Sequence, residues 1–463
     1  MKGESPWKSL KKEGSSVSRI GSRDITQGNI WKNLIFFFFP IWFGSVFQQL
    51  YTTVDAVIVG RYVGTAALAA LGGTSSLIVD LSVGFFIGVS SGASVVISHC
   101  FGAKDNDRLT YAVRTSMKMA VVFGAILMVL GFFISPIALD WMNTPAEVMR
   151  GATLYLRVYF MGVIPSLLYN MGSGILRAVG DAKRPLYYLI CTTFVNIILD
   201  IVFVAILGKG IFGAALATVL SQVVSACLVL RTLLCTKESY KLVLRKCEAH
   251  PEVLKKILKI GFPSGCQYAL YTVSNIIIQT RINSLGTSIV AAWTAINKLE
   301  GMFWLTMGAF ETTIMTFTGQ NYGAGKMDRV RKGFKVGLIM SIALTAGICI
   351  PIVAYAWELV HIFTKDPEVI RLGVDFIYFL IPAFCTYTGT ELFGGIIKGK
   401  GNSWTPMLIT GISAFVVRSI WSIVAPMFWP GMNTIMFSYP LSWTISTTLF
   451  IIYFVVSGQL KDK

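Results

Sequence analysis

The sequence contains little charge for its length. Only 14% of its 463 residues are charged, 54% are hydrophobic and the mean hydropathy is +0.66. Soluble domains contain about 25% charged residues, so this chain cannot cover the surfaces of the two or three soluble domains that its length would suggest. Lipid must therefore be its main solvent. The composition predicts an all-α polytopic membrane protein.

Several motifs of other protein classes are also missing. The eight cysteines are scattered without a CxxC pair, which argues against a zinc site and a disulfide framework. The sequence has neither the Asp-rich metal motif of a prenyltransferase nor a Ser or Cys nucleophile beside a His, so we expect no enzyme and no cofactor. Residues 1–30 are polar and basic and lack the short apolar segment of a signal peptide. We interpret them as a cytoplasmic basic tail.

Apolar runs long enough to span a bilayer recur along the chain. A spanning helix needs about 20 mostly apolar residues, and twelve runs meet that length. They are residues 33–55, 65–96, 115–139, 151–176, 186–208, 211–235, 258–284, 288–320, 333–361, 369–397, 404–428 and 432–457.

The basic residues are distributed unevenly between the connections. The net charge is +17, and 31 of the 40 Lys and Arg residues lie in the two termini and in alternate connections. Basic residues close to helix ends stay in the cytoplasm, so we predict a multi-pass protein of the inner, cytoplasmic membrane with both termini inside. The positive charge forms no aromatic-interleaved patch, which excludes nucleic acid as a partner.

The two halves of the chain resemble each other at a shift of 221 residues. Residues 101–108 align with 322–329, residues 147–150 with 368–371, and residues 180–185 with 401–406. Pro40 in the first span corresponds to Pro263 in the seventh. We therefore predict two pseudo-symmetric six-helix lobes, residues 31–235 and 258–463, joined by a cytoplasmic basic linker at 236–257. Parallel repeats of this kind are typical of transporters, which bind substrate between the halves.

Ionisable residues inside the spans are the candidates for function, because each costs a few kcal/mol to insert. The first half has Asp55, Asp80 and Asp200 and no base among them, so these acids must be protonated, bind a cation or face water. The ionisable residues of the second half have both signs and allow two interpretations. They either neutralise each other as structural pairs or have a functional role. These second-half residues are Lys298, Glu300, Glu311, Glu391 and Arg418.

Helical spacing predicts that some of these side chains converge. Asn196 and Asp200 are four residues apart and therefore lie on one face of their helix. Gln48, Tyr51 and Asp55, at positions i, i+3 and i+7, lie on one face of the first helix. If the first, fifth and sixth helices meet, the side-chain oxygens of these residues converge with the hydroxyl of Thr218 on the sixth helix. Such hard oxygen ligands suit a proton or Na⁺ equally. Asn196 and Thr218 could instead serve only interhelical hydrogen bonds.

Pro40 interrupts the hydrogen-bond ladder of the first helix, fifteen residues before Asp55. A bend there could move the helix when its acidic end is neutralised. A static packing bend is the alternative interpretation.

These motifs resemble the MATE multidrug and toxic compound extrusion transporters over roughly residues 28–458. The resemblance rests on TVDAVIVG at 53–60, the alanine-rich residues 66–71, FGAK at 101–104, LRAVGD at 176–181, and GQNYGA at 319–324, together with Asn196, Asp200 and Thr218. It implies a V-shaped pair of lobes that exports amphipathic, often cationic compounds against inward H⁺ or Na⁺ flow. Partners would be small organic molecules and the bilayer, and we expect a monomer.

The resemblance also implies roles for individual residues. The family's cation site maps onto Asp55, Asn196, Asp200 and Thr218, and the substrate cavity would be lined by Gln48, Tyr51, Tyr155 and Asn170. This pattern favours the DinF-like branch, because the seventh helix lacks the carboxylate of the NorM-like branch and Glu391 lies about one turn from the expected position.

Three other functions fit the sequence less well. A lipid-linked precursor flippase of the same superfamily would need a cationic cavity for a pyrophosphate head, whereas the first-half cavity is acidic. A major facilitator would carry a Gly-x-x-x-Asp-Arg-x-Gly-Arg motif that residues 101–110 do not match. An integral membrane enzyme is the alternative from a different class.

Overall fold

The computed structural model describes residues 24–243 and 250–458, which are helical with short connections and contain no strand within those ranges. The amino-terminal residues 1–23, part of the linker, and residues 459–463 lie outside the described residues. The helices of the first half are α1 (Ile30–Tyr62), α2 (Thr65–Gly72), α3 (Thr74–Gly102), α4 (Asn106–Trp141), α5 (Ala146–Met161), α6 (Val163–Ala178), α7 (Lys183–Asp200, continued by a π-helix at Ile201–Ile206) and α8 (Gly210–Cys235).

The second half repeats this order of long and broken helices. Its helices are α9 (Pro251–Asn283), α10 (Thr287–Gly323), α11 (Met327–Ala354), α12 (Ala356–His361), α13 (Pro367–Leu380), α14 (Phe384–Gly399, after a 3₁₀ turn at Ile381–Ala383), α15 (Trp404–Thr410, followed by a π-helix at Gly411–Val417), α16 (Arg418–Phe428) and α17 (Met432–Val456).

The helices confirm an all-α polytopic membrane protein. In the described residues, nine continuous or nearly continuous helices are long and apolar enough to span a bilayer, and the bent pair α5–α6 makes ten. The two others are α9 and α10, of 33 and 37 residues. They are long enough to span but carry more polar residues, and with them the count matches the predicted twelve.

Several predicted spans are not single straight helices. The predicted span 151–176 is bent by 53° between α5 and α6, where Gly162 has no room for a side chain because a Cβ would lie 2.4 Å from Val219. The span 65–96 is interrupted at Gly73, and the span 369–397 is interrupted by the 3₁₀ turn that contains Pro382. Apolar length alone predicts neither breaks nor bends.

The first helices of the two halves each cross into the other half. Leu34 and Phe38, near the start of α1, pack with Phe310 of α10, whereas Ile58 and Val59 pack within the first half. In α9, Ile257 and Ile260 belong to the first-half core, and residues 278 and 282 belong to the second-half core. The change of partner occurs around Pro40 in α1 and around Pro263 in α9, although both helices are continuous.

Helices α3 and α9 form the most extensive contact between the halves. A Cβ on Gly88 would lie 2.4 Å from the backbone nitrogen of Gly265, and one on Gly92 would lie 2.4 Å from that of Gly261. Glycines four residues apart therefore let the two backbones touch, as in small-residue packing of membrane helices.

The halves also interlock near the basic loops after α3 and α10. His99 Nε2 lies 2.7 Å from the carbonyl oxygen of Gly399, and Gln320 Nε2 donates to the carbonyl oxygen of Ala178 at 2.8 Å. Lys326 Nζ donates to the carbonyl oxygen of Thr26 at 2.9 Å. The described end of the predicted tail is thus packed against the second half, and the molecule is closed on the side of these basic loops.

Candidate functional site

The first-half acids come together as the helical spacing predicts. Helices α1, α7 and α8 pack against one another, and the carboxylates of Asp55 and Asp200 are close enough to repel each other. The Tyr51 hydroxyl contacts Thr218 and lies near both acids. The Thr218 hydroxyl itself donates to the carbonyl oxygen of Ala214 at 3.0 Å.

Several polar atoms at this site lack hydrogen-bond partners among the described residues. Asn196 and Asp200 are both 0% exposed, and neither the amide of Asn196 nor either carboxylate oxygen of Asp200 has a hydrogen-bond partner there. One carboxylate oxygen of Asp55 is also buried and unpartnered. Buried polar groups are nearly always hydrogen-bonded, so this cluster can accept a proton or a small cation. Asp200 also directly precedes a π-helix, a distortion that is frequent at functional sites.

The residues expected to line the substrate cavity lie in different surroundings. Tyr155 is close to Tyr51 and Asp55, and Gln48 is exposed one turn before Tyr51 on α1. Asn170 donates to the carbonyl oxygen of Ser166 at 2.9 Å and lines a small cavity of about 80 Å³ between the halves. Gln48, Tyr51 and Tyr155 surround the acid site and do not line the large cavity described next.

Asp80 stands apart from the other two acids. It is exposed on α3, and its charge acts on Tyr159 of the first half and on Tyr268 of α9. Asp80 therefore lies beside the contact between the halves, about one turn from Gly84.

A large cavity lies in the second half, facing α3 of the first half. Its volume is about 570 Å³, within the range of about 300–1,000 Å³ that is usual for small-molecule pockets. Helices α9, α10, α14, α16 and α17 line it together with α3. The residues are Ile87, Gly88, Ser91, Ser264, Gln267, Tyr268, Tyr271, Asn275, Gln279, Trp293, Asn297, Glu300, Trp304, Glu311, Thr312, Met315, Tyr387, Glu391, Lys398, Arg418 and Tyr439.

Arg418 is the most buried charge of this cavity, at 1% exposure. It directly follows the π-helix Gly411–Val417. Its Nε donates to Ser442 Oγ at 2.9 Å, and its guanidinium carbon lies 4.7 Å from the centre of the Tyr439 ring. Nη2 is buried without a hydrogen-bond partner in the described part of the chain.

Of the second-half charges, only some are structural pairs. Glu311 forms an ion pair at 2.7 Å with Lys398, a residue that the charge pattern placed in a cytoplasmic turn. In the structure Lys398 lies in the last turn of α14 rather than in the connection that follows, and it is buried and lines the cavity. Glu391 accepts a hydrogen bond from Tyr387. Lys298 is exposed and forms no ion pair with a described residue.

Glu300 is held inside the cavity by its own helix. With the Asn297 amide oriented to satisfy both neighbours, its nitrogen donates to Glu300 Oε1 at 3.0 Å and its oxygen accepts from Trp293 Nε1 at 2.9 Å. Arg418 attracts Glu300 from beyond ion-pair distance. A buried carboxylate and a buried guanidinium thus share the cavity without neutralising each other directly.

Sequence reasoning missed this cavity although a signal was present. Gln267, Tyr271, Asn275 and Gln279 recur every four residues of α9, which places them on one helix face. Trp293, Asn297, Glu300 and Trp304 recur at intervals of four, three and four residues, which also places them on one face of α10. Such polar stripes in the two least apolar spans mark the helices that face the cavity.

Comparison with known proteins identifies the family. The MatE family model matches the chain twice, at residues 40–202 and 263–424. The two matched segments begin at Pro40 and Pro263, the pair that marks the repeat. The chain therefore belongs to the MATE family.

Individual relatives and structures agree with this assignment. The chain is 25% identical to the probable multidrug resistance protein YoeA of Bacillus subtilis (strain 168), with 86% of each chain covered. It is 27% identical to the probable multidrug resistance protein YpnP of the same organism, over 85% of this chain and 88% of that one. The fold matches a structure described as the outward-facing conformation of a multidrug resistance MATE family transporter of the MOP superfamily, with a TM-score of 0.88, 20% identity and coverage of 95% and 99%.

Proposed function

We propose that this protein is a cation-coupled exporter of amphipathic organic compounds, many of them cationic, in the cytoplasmic membrane. The proposal places both termini in the cytoplasm and the protein in the membrane as a monomer. The relatives YoeA and YpnP are named as probable multidrug resistance proteins, which supports drug export as the activity.

One observation supports the coupling most strongly: Asp200 is fully buried, with both carboxylate oxygens unpartnered, beside a second acid, Asp55. Two buried carboxylates without a neighbouring base are costly when both are charged. A proton or Na⁺ bound by Asp55, Asn196, Asp200 and Thr218 would remove that cost. No resident cofactor or metal enters the proposal, and the H⁺ or Na⁺ is the coupling ion.

The ion would drive export by favouring one arrangement of the two halves. A ligand shifts a conformational equilibrium only by its different affinity for the two states. Asp55 lies on α1, which packs on both halves, and Pro40 lies where α1 changes from one half to the other. Neutralising the acid end of α1 would therefore change how α1 bends at Pro40 and how the halves meet.

Reconstituted protein tests the proposal. In liposomes, a pH gradient and a sodium gradient are imposed separately and the uphill movement of a cationic dye is measured. We expect one of the gradients to drive transport, and the Asp200→Asn variant to fall to the level of protein-free liposomes. The matched control is Asp375→Asn, which changes an exposed acid on α13 and should transport normally. Full uphill transport by Asp200→Asn would overturn the coupling site.

The flippase alternative fits the structure less well. A pyrophosphate head requires a predominantly basic pocket, whereas the large cavity contains Glu300, Glu311 and Glu391 beside two bases, and one of those bases is already paired with Glu311.

A further inference from the structure

We propose that Arg418 is the binding site for the carboxylate of an aromatic compound in the second-half cavity. The ligand class is thus an aromatic acid or an amphoteric aromatic compound, rather than a simple organic cation. This inference rests on the proposed function only in taking the cavity to be the place where the exported compound binds.

The first argument is the free hydrogen-bonding capacity of Arg418. Its side chain is buried, yet no described carboxylate lies within ion-pair distance and Nη2 has no partner there. A buried charge without a close counter-ion is costly, so a function that requires the charge is the simplest reason for its presence. The planar guanidinium suits a carboxylate, which it binds through two parallel hydrogen bonds.

The second argument is the aromatic surface around this guanidinium. Its carbon lies 4.7 Å from the Tyr439 ring centre, 5.7 Å from that of Tyr271 and 6.0 Å from that of Trp443. These rings hold the guanidinium in place, and the neighbouring Trp304 also lines the cavity. A flat ring system that carries an acid could stack against this surface while its carboxylate meets Arg418.

The third argument is the arrangement of charge across the cavity. Tyr271 lies near Arg418, whose guanidinium carbon is 5.7 Å from the centre of the Tyr271 ring, and the charges of Glu391 and Glu311 also act on Tyr271. Because Lys398 already pairs with Glu311, Glu300 and Glu391 are the cavity acids that remain for a ligand amine. The cavity therefore offers a cation and acids that no ion pair with a described residue neutralises directly, which matches an amphoteric molecule.

A pair of dyes with one difference tests the proposal by direct binding. Rhodamine B carries a xanthylium cation and a free carboxylate, and its ethyl ester carries the same cation without the negative charge. Both are titrated by fluorescence polarisation against purified protein in lipid nanodiscs at constant pH and without an ion gradient. We expect wild-type protein to bind the acid more tightly than the ester.

Variants of Arg418 then show whether this residue causes the preference for the acid over the ester. Arg418→Gln should weaken binding of rhodamine B about tenfold or more, as for the loss of a charge-assisted hydrogen bond, and leave binding of the ester unchanged. Arg418→Lys keeps the charge without the planar fork and should lose less. The control Arg371→Gln changes an exposed arginine on α13 and should alter neither affinity.

Two kinds of result would overturn the proposal. Equal or tighter binding of the ester by wild-type protein, or no binding of either dye, overturns the proposal. So does an unchanged ratio of acid to ester affinity in whichever Arg418 variant folds, with ester binding as the measure of folding. Because binding is measured without a gradient, the outcome is independent of the coupling test: loss of uphill transport in Asp200→Asn leaves this result unaffected, and the reverse also holds.

Discussion

The two halves share one order of helices but carry opposite charges beside their π-helices. In the first half, Asp200 precedes the π-helix and belongs to an acidic cluster. In the second half, Arg418 follows the π-helix and lies in an aromatic cavity. A duplicated scaffold has thus been given two different sites, one suited to a small cation and one suited to an organic molecule.

The surroundings of the two sites support this division. The acid cluster is packed between α1, α7 and α8, and none of Asp55, Asn196 and Asp200 lines the large cavity. The second-half cavity of about 570 Å³ has room for a drug-sized compound. The contact of α3 with α9 borders this cavity, because Gly88 lies in that contact and also lines the cavity.

The largest effect is expected from separating the halves at this contact. Gly88→Ala places a Cβ about where the backbone of Gly265 lies, so α3 and α9 must move apart. Overpacking of this kind costs ~3 kcal/mol, and we expect a lower melting temperature of the purified protein. Gly308→Ala is the control, because a Cβ there meets no atom within 4 Å. Equal melting temperatures for the two variants would show that the halves do not depend on this contact.

A somewhat smaller effect is expected from the ion pair of the second half. Lys398→Met leaves Glu311 without its partner and should cost ~2 kcal/mol, below the ~3–5 kcal/mol of a fully buried pair, because the Glu311 side chain is 27% exposed. Adding Glu311→Gln should restore most of the stability, as measured by thermal unfolding. If the double variant is no more stable than Lys398→Met, Glu311 and Lys398 are not energetically coupled.

The smallest effect concerns the two prolines. Pro40→Ala and Pro263→Ala each restore a helix hydrogen bond where α1 and α9 change from one half to the other. If these are hinges, transport slows several-fold while dye affinity stays the same, since a conformational step limits turnover. Initial transport rates and binding curves on the same preparations check this. Unchanged rates in both variants would indicate static bends.

Sequence patterns predicted what depends on local spacing. Helical spacing placed Asn196 and Asp200 on one face of α7 and Asp55 on a polar face of α1. That these helices meet was a condition of the prediction, and the structure fulfils it. The twelve spans follow from apolar length. The polar stripes on α9 and α10 are also visible in the sequence. In each case the predictable information lies within one helix.

Features that depend on distant packing were not predictable in this way. Lys398 and Glu311 are 87 residues apart, and the charge pattern assigned Lys398 to a loop because it lies near a helix end. The bend at Gly162 depends on Val219 of another helix. The environment of Arg418 requires Tyr271, Tyr439 and Trp443 from two further helices, which no sequence period connects.

The central claim is that the first half couples the ion and the second half binds the compound. It is tested most directly by measuring rhodamine B affinity of the Asp200→Asn variant in nanodiscs, beside uphill transport of the same dye in liposomes. The account predicts unchanged affinity and no uphill transport. Loss of affinity with coupling retained would contradict it, because the acid cluster would then bind the compound.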